Sequence, residues 1–281
     1  MNIFFKTFIK VFASLLTIVA FFLVLFGFLS FIGSNKTNSQ FTFIKGNQSS
    51  ENKIAILKLQ GPIVSDSINI NNIAYFQIIN PEKISKKIEN LKVLEPKILI
   101  ISINSPGGTV AASYEIYEIV KKFKEKNKIK IYFHTNETLA SGAYWLALAG
   151  DEIYASYGSL VGSIGVKGPD WIYFDKPISM SSGIFGNAIE TENGIKVYSQ
   201  NAGKSKDLFN PFRQPTKEEL QNIQLLIDDI YDDFVNLVSK KRKIEVNIMK
   251  NKIGALIYTS RHAKNNYLID DEINLNSLIN K

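Results

Sequence analysis

The chain has no cysteine and only two histidines, His134 and His262, among its 281 residues. Without thiols there is no disulfide framework, no Cys-ligated metal site and no thiolate nucleophile. The two histidines fall in a strand pattern and in a C-terminal helical segment, and ordinary usage makes each a structural or surface residue before a catalytic base. No metal or organic cofactor is expected. Charge is not one-sided either: 33 Lys and Arg against 26 Asp and Glu leave +7. The lysines are spread along the whole chain, with no basic stripe interleaved with aromatics, so no nucleic-acid surface is expected. What is present is apolar residue type in ordinary supply, 45% hydrophobic and 12% aromatic. That is enough to build a core and excludes a disordered chain.

The apolar residues are unevenly placed. Between Lys10 and Lys36 no residue is charged, and Val11 to Gly33 reads VFASLLTIVAFFLVLFGFLSFIG. At about 1.5 Å per residue such a helix crosses a hydrocarbon core of roughly 30 Å. The run is longer than a signal-peptide h-region and no A-x-A site follows, so a retained anchor over residues 11–33 is expected. Residues 1–10 then form a short cytoplasmic segment, and the polar residues 34–52 a tether. Lysines on both sides of the run leave the positive-inside count undecided. Residues 53–281 have the length of one compact domain and contain no repeat.

Within that domain strands and helices alternate. The patterns predict strands over residues 54–61, 97–104, 130–135 and 152–156, and helices over 81–94, 111–126, 139–150 and 217–241. Strands apolar on both faces and followed by helices argue an α/β fold with a largely parallel sheet.

Three segments could carry chemistry. Asn104-Ser105-Pro106-Gly107-Gly108 ends a strand and opens a helix, a loop whose backbone N–H groups can approach an anion or oxyanion; taken alone, the letters favour a plain turn with a helix start. No Gly-Lys-Ser/Thr follows, so it is not a P-loop. In Ala140-Ser141-Gly142-Ala143-Tyr144-Trp145 a serine among small residues starts a helix, where it is a nucleophile or an N-cap. The G-x-S-x-G form is absent, which argues against a Ser-His-Asp hydrolase. Asn201 to Glu219 carries Lys204 and Lys206; a lysine becomes a general base when burial keeps it neutral, and is otherwise solvated.

In order along the chain, NSPGG (104–108), LASGAYWLALAGDEIYAS, GSIGV (162–166), GKSKDLFNPFRQPTKEE and IYTSRHAKNNYLIDD (257–271) resemble the signal peptide peptidase A family, the membrane-anchored serine proteases of peptidase family S49. The resemblance covers roughly residues 54–275, and five ordered motifs behind an anchor make it specific. It implies the crotonase-like or Clp-protease-like α/β superfold and peptide hydrolysis by a Ser-Lys dyad. Ser141 would be the nucleophile, Lys206 the general base, Ser163 a hydroxyl that orients the lysine, and Gly107 with Gly108 the oxyanion donors. Such a division of labour is chemically coherent, since a neutral lysine takes the serine proton while backbone donors stabilise the charge that develops.

The resemblance also implies a homo-oligomeric ring whose sites draw Ser and Lys from neighbouring subunits. It implies a single-pass protein of the cell membrane with its catalytic domain outside the cytoplasm, on the periplasmic or extracellular side. Peptide substrates would be remnant signal peptides and other unfolded hydrophobic segments. Three features depart from the family pattern: Ala143 for Gly, Ser260 for the Gly of "YTG", and a longer, less regular stretch from Val166 to Lys206 that keeps Lys204 as the alternative base. A crotonase-like acyl-CoA enzyme or a non-catalytic membrane scaffold would share the fold without needing the dyad.

Overall fold

A computed structural model of the chain describes residues 3–34, 41–65, 77–173 and 200–281, so most of the irregular stretch before Lys206 lies outside the described residues. The chain divides into two units, Met1–Glu51 and Asn52–Lys281.

In the first unit α1 (Ile3–Ser34) is a single helix of 32 residues. It starts upstream of the apolar run because neither Pro nor Gly interrupts residues 3–10. Its stretch Thr7–Leu25 is long and apolar enough to cross a membrane, and its side chains are exposed. Hydroxyls within this stretch are satisfied internally: Ser14 Oγ donates to the Lys10 carbonyl (2.9 Å) and Thr17 Oγ1 to that of Ala13 (2.8 Å). That leaves no hydroxyl proton seeking water, as an apolar surround requires.

The second unit is an α/β domain. Strands β1 (Ile54–Gln60), β2 (Ile98–Asn104), β3 (Lys130–Thr135), β5 (Glu152–Ala155) and β8 (Asp271–Glu272) form one sheet in the order β1-β2-β3-β5-β8, every pair parallel. β2 lies in its interior, and Leu99, Ile100, Ile101 and Ile103 are at most 1% exposed. Each such side chain contributes about 1.5–3 kcal/mol over leaving it in water. The crossovers are α2 (Pro81–Leu91) and α3 (Val110–Asn127). α2 starts where Asn80 accepts the Lys83 N–H and Pro81 supplies the first helical φ, and a 3-10 turn over Lys92–Leu94 ends it. The predicted α/β fold with a parallel sheet is the observed one.

A smaller sheet was not legible beforehand. β4 (Thr138–Ala140) runs parallel to β6 (Leu160–Gly162), and β6 runs antiparallel to β7 (Ile257–Thr259). The helix predicted over residues 139–150 is therefore wrong at its start: residues up to Ala140 are strand, the chain turns at Ser141, and α4 (Gly142–Ala147) is only six residues long. Main-chain pairing of β4 with β6 and with Ser105 overrides the helical preference of Leu139 and Ala140. The C-terminal part adds α5 (Lys217–Arg242), α6 (Val246–Ile248) with a π turn over Met249–Ile253, α7 (Ser260–Asn265) and α8 (Leu275–Asn280). Phe234, Val235 and Val238 of α5 are at most 1% exposed. Phe234 stacks on Trp145 of α4, ring centroids 4.5 Å apart at 21°.

Candidate active site

Ser141 occupies the turn between β4 and α4 with φ 53° and ψ −126°, a left-handed conformation that a residue with a Cβ holds only when its surroundings impose it. Its N–H donates to the Gly162 carbonyl at 2.9 Å, and its own carbonyl accepts from the Tyr144 and Trp145 N–H groups at 2.9 and 3.0 Å. The backbone is thus fixed while the hydroxyl has no partner among the described residues. A strained serine between strand and helix is the arrangement of a nucleophile elbow, reached here with Leu139 and Ala143 at the positions of the two G-x-S-x-G glycines.

The glycine loop closes on this turn. Gly107 sits at φ 99°, and a Cβ on it would lie 2.8 Å from Ser141 Cβ, from the Gly142 nitrogen and from the Ala140 carbonyl oxygen. A Cβ on Gly108 would lie 1.8 Å from the Ile63 carbonyl oxygen. Both positions need glycine because backbone passes against backbone. The Gly107 N–H donates to Ser105 Oγ (3.1 Å), so it is engaged inside the loop. The Gly108 N–H has no partner among the described residues, and the Gly142 N–H, at the first position of α4, has no intrahelical partner. The position of a Cβ on Gly142 is 3.4 Å from the Gly108 nitrogen, which sets these two donors side by side next to Ser141.

Ser163 also belongs to this neighbourhood. Ala140 and Gly162 are register partners that end β4 and β6, and Ser141 and Ser163 are the residues that follow them. Ser163 too has a positive φ, 53°, and its N–H donates to the Leu256 carbonyl at 2.8 Å.

Among the described residues Lys206 makes no hydrogen bond or ion pair with Ser141, Ser163 or the glycine loop. It lies in a turn, exposed, and its Nζ has no hydrogen-bond or ion-pair partner among the described residues. Its neighbours are tied to the start of α5. Lys204 Nζ meets Glu218 Oε2 at 2.5 Å, and Asp207 takes a bidentate pair from Arg213, Nε–Oδ2 2.6 Å and Nη2–Oδ1 2.8 Å. Arg213 also grips Glu219, at 2.9 and 2.7 Å, while Glu219 closes a capping box with Thr216. The Arg213 guanidinium holds both carboxyls below the usual carboxylate range, and the two carboxylates raise its own value in return. Its far face lies over the Trp171 ring, 5.1 Å from the centroid.

The Lys206 turn is fastened at Glu218 and Glu219, whereas α5 meets α4 at Phe234, roughly 22 Å further along the helix axis at about 1.5 Å per residue. Lys204 is engaged by Glu218. Lys206 is exposed, its Nζ with no partner among the described residues.

The histidines are placed otherwise. His134 is fully buried in β3, its Nε2 3.0 Å from the Ile273 carbonyl oxygen, and burial lowers its pKa. His262 is exposed on α7, with Nδ1 3.2 Å from Thr259 Oγ1. Neither bonds to Ser141. Ser260 is buried, donating to Glu272 Oε2 (2.6 Å) and accepting from the Gly158 N–H (3.2 Å), so a hydroxyl is used at that turn. Among the described residues no group of three or more His, Asp or Glu side chains is placed to hold a metal ion. Sequence reasoning missed the Gly142 donor and the Arg213 clamp, although T-x-x-E at 216–219 is a visible capping signal.

Ser141 beside the Gly108 and Gly142 N–H groups is a candidate nucleophilic site, and comparison with known proteins gives the family. Residues 123–281 match Peptidase family S49, and residues 62–153 match the Clp protease family. The chain belongs to peptidase family S49. It is 31% identical over 242 residues to the Enterococcus faecium protein named "Putative signal peptide peptidase SppA", covering 85% of this chain and 64% of that one. A Methanocaldococcus jannaschii sequence, named as a putative protease, is 33% identical over 62% of this chain and 51% of its own. The chain thus spans about half to two-thirds of the length of these curated relatives. Among solved structures, a ClpP1 mutant from Listeria monocytogenes superposes with a TM-score of 0.49 at 14% identity, over 79% of this chain and 94% of that one.

Proposed function

We propose that this protein is a membrane-anchored serine endopeptidase that hydrolyses remnant signal peptides and other unfolded hydrophobic peptides. The observation that carries the proposal is Ser141 itself, held at φ 53° between strand and helix with its hydroxyl unpaired beside the Gly108 and Gly142 N–H groups. Lys206 Nζ, neutral, takes the Ser141 Oγ proton as Oγ attacks the scissile carbonyl carbon. The oxyanion that develops is met by the Gly108 and Gly142 N–H groups, which are fixed before the substrate arrives. Collapse of this intermediate breaks the C–N bond, and the amine leaves with the proton Lys206 carries. Water then releases the acyl group by the same steps in reverse. Ser163, beside Ser141, orients the lysine ammonium between transfers, and Gly107 gives the close backbone approach that sets the donors.

The pinning of the Lys206 turn at the start of α5 supports a base supplied by the neighbouring subunit of a ring. Burial between two copies is what makes a lysine neutral enough to act. α1 is the single-pass anchor, with the catalytic domain outside the cytoplasm; the N-terminal segment, anchor, tether and protease domain follow in the bounds given above.

The test is cleavage of a mixed pool of unfolded peptides by the full chain in detergent, alongside Ser141→Ala and Lys206→Ala at matched oligomeric state. The expected result is cleavage by the native chain and none by either variant. An active Ser141→Ala chain would refute the nucleophile. Cleavage surviving in Lys206→Ala and lost in Lys204→Ala would move the base. Turnover of thioesters in place of peptides would favour an acyl-CoA enzyme, and an assembled but silent native chain a scaffold.

A further inference from the structure

We propose that Asn104 is a positioning residue whose side-chain oxygen locks the strand carrying Ser141 onto the strand that leads into the Gly107-Gly108 loop. The proposal rests on the reading of Ser141 as nucleophile. β3 ends at Thr135 and β4 begins at Thr138, so the reversal between them sets where Ser141 falls. That reversal is wrapped around one atom. Asn104 Oδ1 accepts from Thr135 Oγ1 at 2.9 Å, from the Asn136 N–H at 3.1 Å and from the Glu137 N–H at 3.0 Å. Asn104 Nδ2 has no partner among the described residues. The side chain therefore acts here as an acceptor alone, in the place of an anion held by a nest of donors.

The next residues continue the seam. Ser105 N–H donates to the Thr138 carbonyl (2.8 Å), and its carbonyl accepts from the Ala140 N–H (3.2 Å). Ser105 Oγ then accepts from the Gly107 N–H. One stretch, Asn104 to Gly107, thus holds the turn before β4, the whole of β4 and the glycine loop in a single register. Without the Asn104 oxygen, two adjacent main-chain donors and a hydroxyl lose their common partner, and only the two Ser105 bonds keep β4 on β2. A shift of about 1 Å between nucleophile and oxyanion donors is enough to cost on the order of a hundredfold in rate.

The acceptor-only role gives a discriminating substitution. Asn104→Asp keeps an oxygen facing the same three donors, an arrangement that favours a carboxylate; Asn104→Leu keeps the shape and removes the acceptor. In the full chain in detergent, Asn104→Asp is expected to retain kcat within about threefold, since a carboxylate accepting two or three such bonds is well satisfied. Asn104→Leu is expected to lose about a hundredfold in kcat with KM little changed. Thr135→Val, which deletes one donor of three, should fall between them. Amide exchange at Asn136 and Glu137 supplies a readout that does not depend on catalysis: slow in the native chain and in Asn104→Asp, at least about tenfold faster in Asn104→Leu. A folded Asn104→Leu chain with native kcat or native exchange at these amides would overturn the proposal. So would an Asn104→Asp chain as impaired as Asn104→Leu. If Ser141→Ala proves as active as the native chain, the nucleophile reading falls, while the exchange data still decide whether Asn104 holds the turn.

Discussion

Ser141 and Lys206 lie in regions built from different interactions. Around Ser141 the positions are set by main-chain contacts: β4 against β6, Ser105 against β4, and glycine backbone against the serine Cβ. Around Lys206 they are set by charged side chains at the start of α5, with Arg213 as the common partner of Asp207 and Glu219. The first region is formed by backbone of a single chain. The second is held in place yet faces outward. A nucleophile and its oxyanion donors gain most from being fixed before substrate binds, whereas a lysine base needs a surface to close over it before it can lose its proton. On the proposed reading, placing the two on different interactions makes activity conditional on assembly.

The largest effect separating the regions is expected from Gly107→Ala. A Cβ 2.8 Å from three backbone or Ser141 atoms, at φ 99°, should abolish peptide turnover and lower unfolding free energy by about 2–4 kcal/mol in urea titrations. Arg213→Ala comes next. It should lower kcat about thirtyfold and open the 200–216 turn to limited proteolysis, leaving the exchange protection of β2 and β3 intact; Arg213→Lys should not restore activity, because an ammonium cannot bridge two carboxylates with a planar fork.

Acid should sharpen the contrast further, because each region contains one of the two tryptophans. Asp207 and Glu219 have depressed carboxyl values in the folded chain, so the clamp is whole above the ordinary carboxylate range and fails as pH falls below about 4. His134 is depressed by burial, so the sheet is at full strength above the free imidazole value and weakens as pH falls below about 6.5. Urea midpoints read from Trp145 in a Trp171→Phe chain should therefore decline first, and Trp171 fluorescence in a Trp145→Phe chain should change only at the lower pH. The smallest effect is expected from Ser260→Gly: loss of the bonds to Glu272 and Gly158 should cost about 1 kcal/mol and leave turnover within about twofold.

The parallel sheet was legible because β2 and its neighbours are apolar runs of strand length, a pattern set by burial on both faces. The elbow at Ser141 was not. LASGAYWLALAG reads as a helix by propensity, and what makes Leu139 and Ala140 strand is pairing with β6 and with Ser105, neither of which is local in sequence. The glycines at 107 and 108 allowed a close-approach loop or a plain turn, and the division of their N–H groups, one engaged by Ser105 and one without a partner among the described residues, depends on loop geometry that letters do not carry. The same holds for Lys206. Its block of residues was visible, while its outward projection follows from which neighbours α5 captures.

The claim that the site is shared between subunits is tested most directly by mixing two inactive chains. Ser141→Ala subunits keep Lys206, and Lys206→Ala subunits keep Ser141, so in an equal mixture reassembled at random about a quarter of the sites in a head-to-tail ring regain both groups. Recovery of about that fraction of native peptide turnover on mixing is the predicted result. No recovery at any ratio, with both variants and their mixtures assembled as the native chain is, would contradict it.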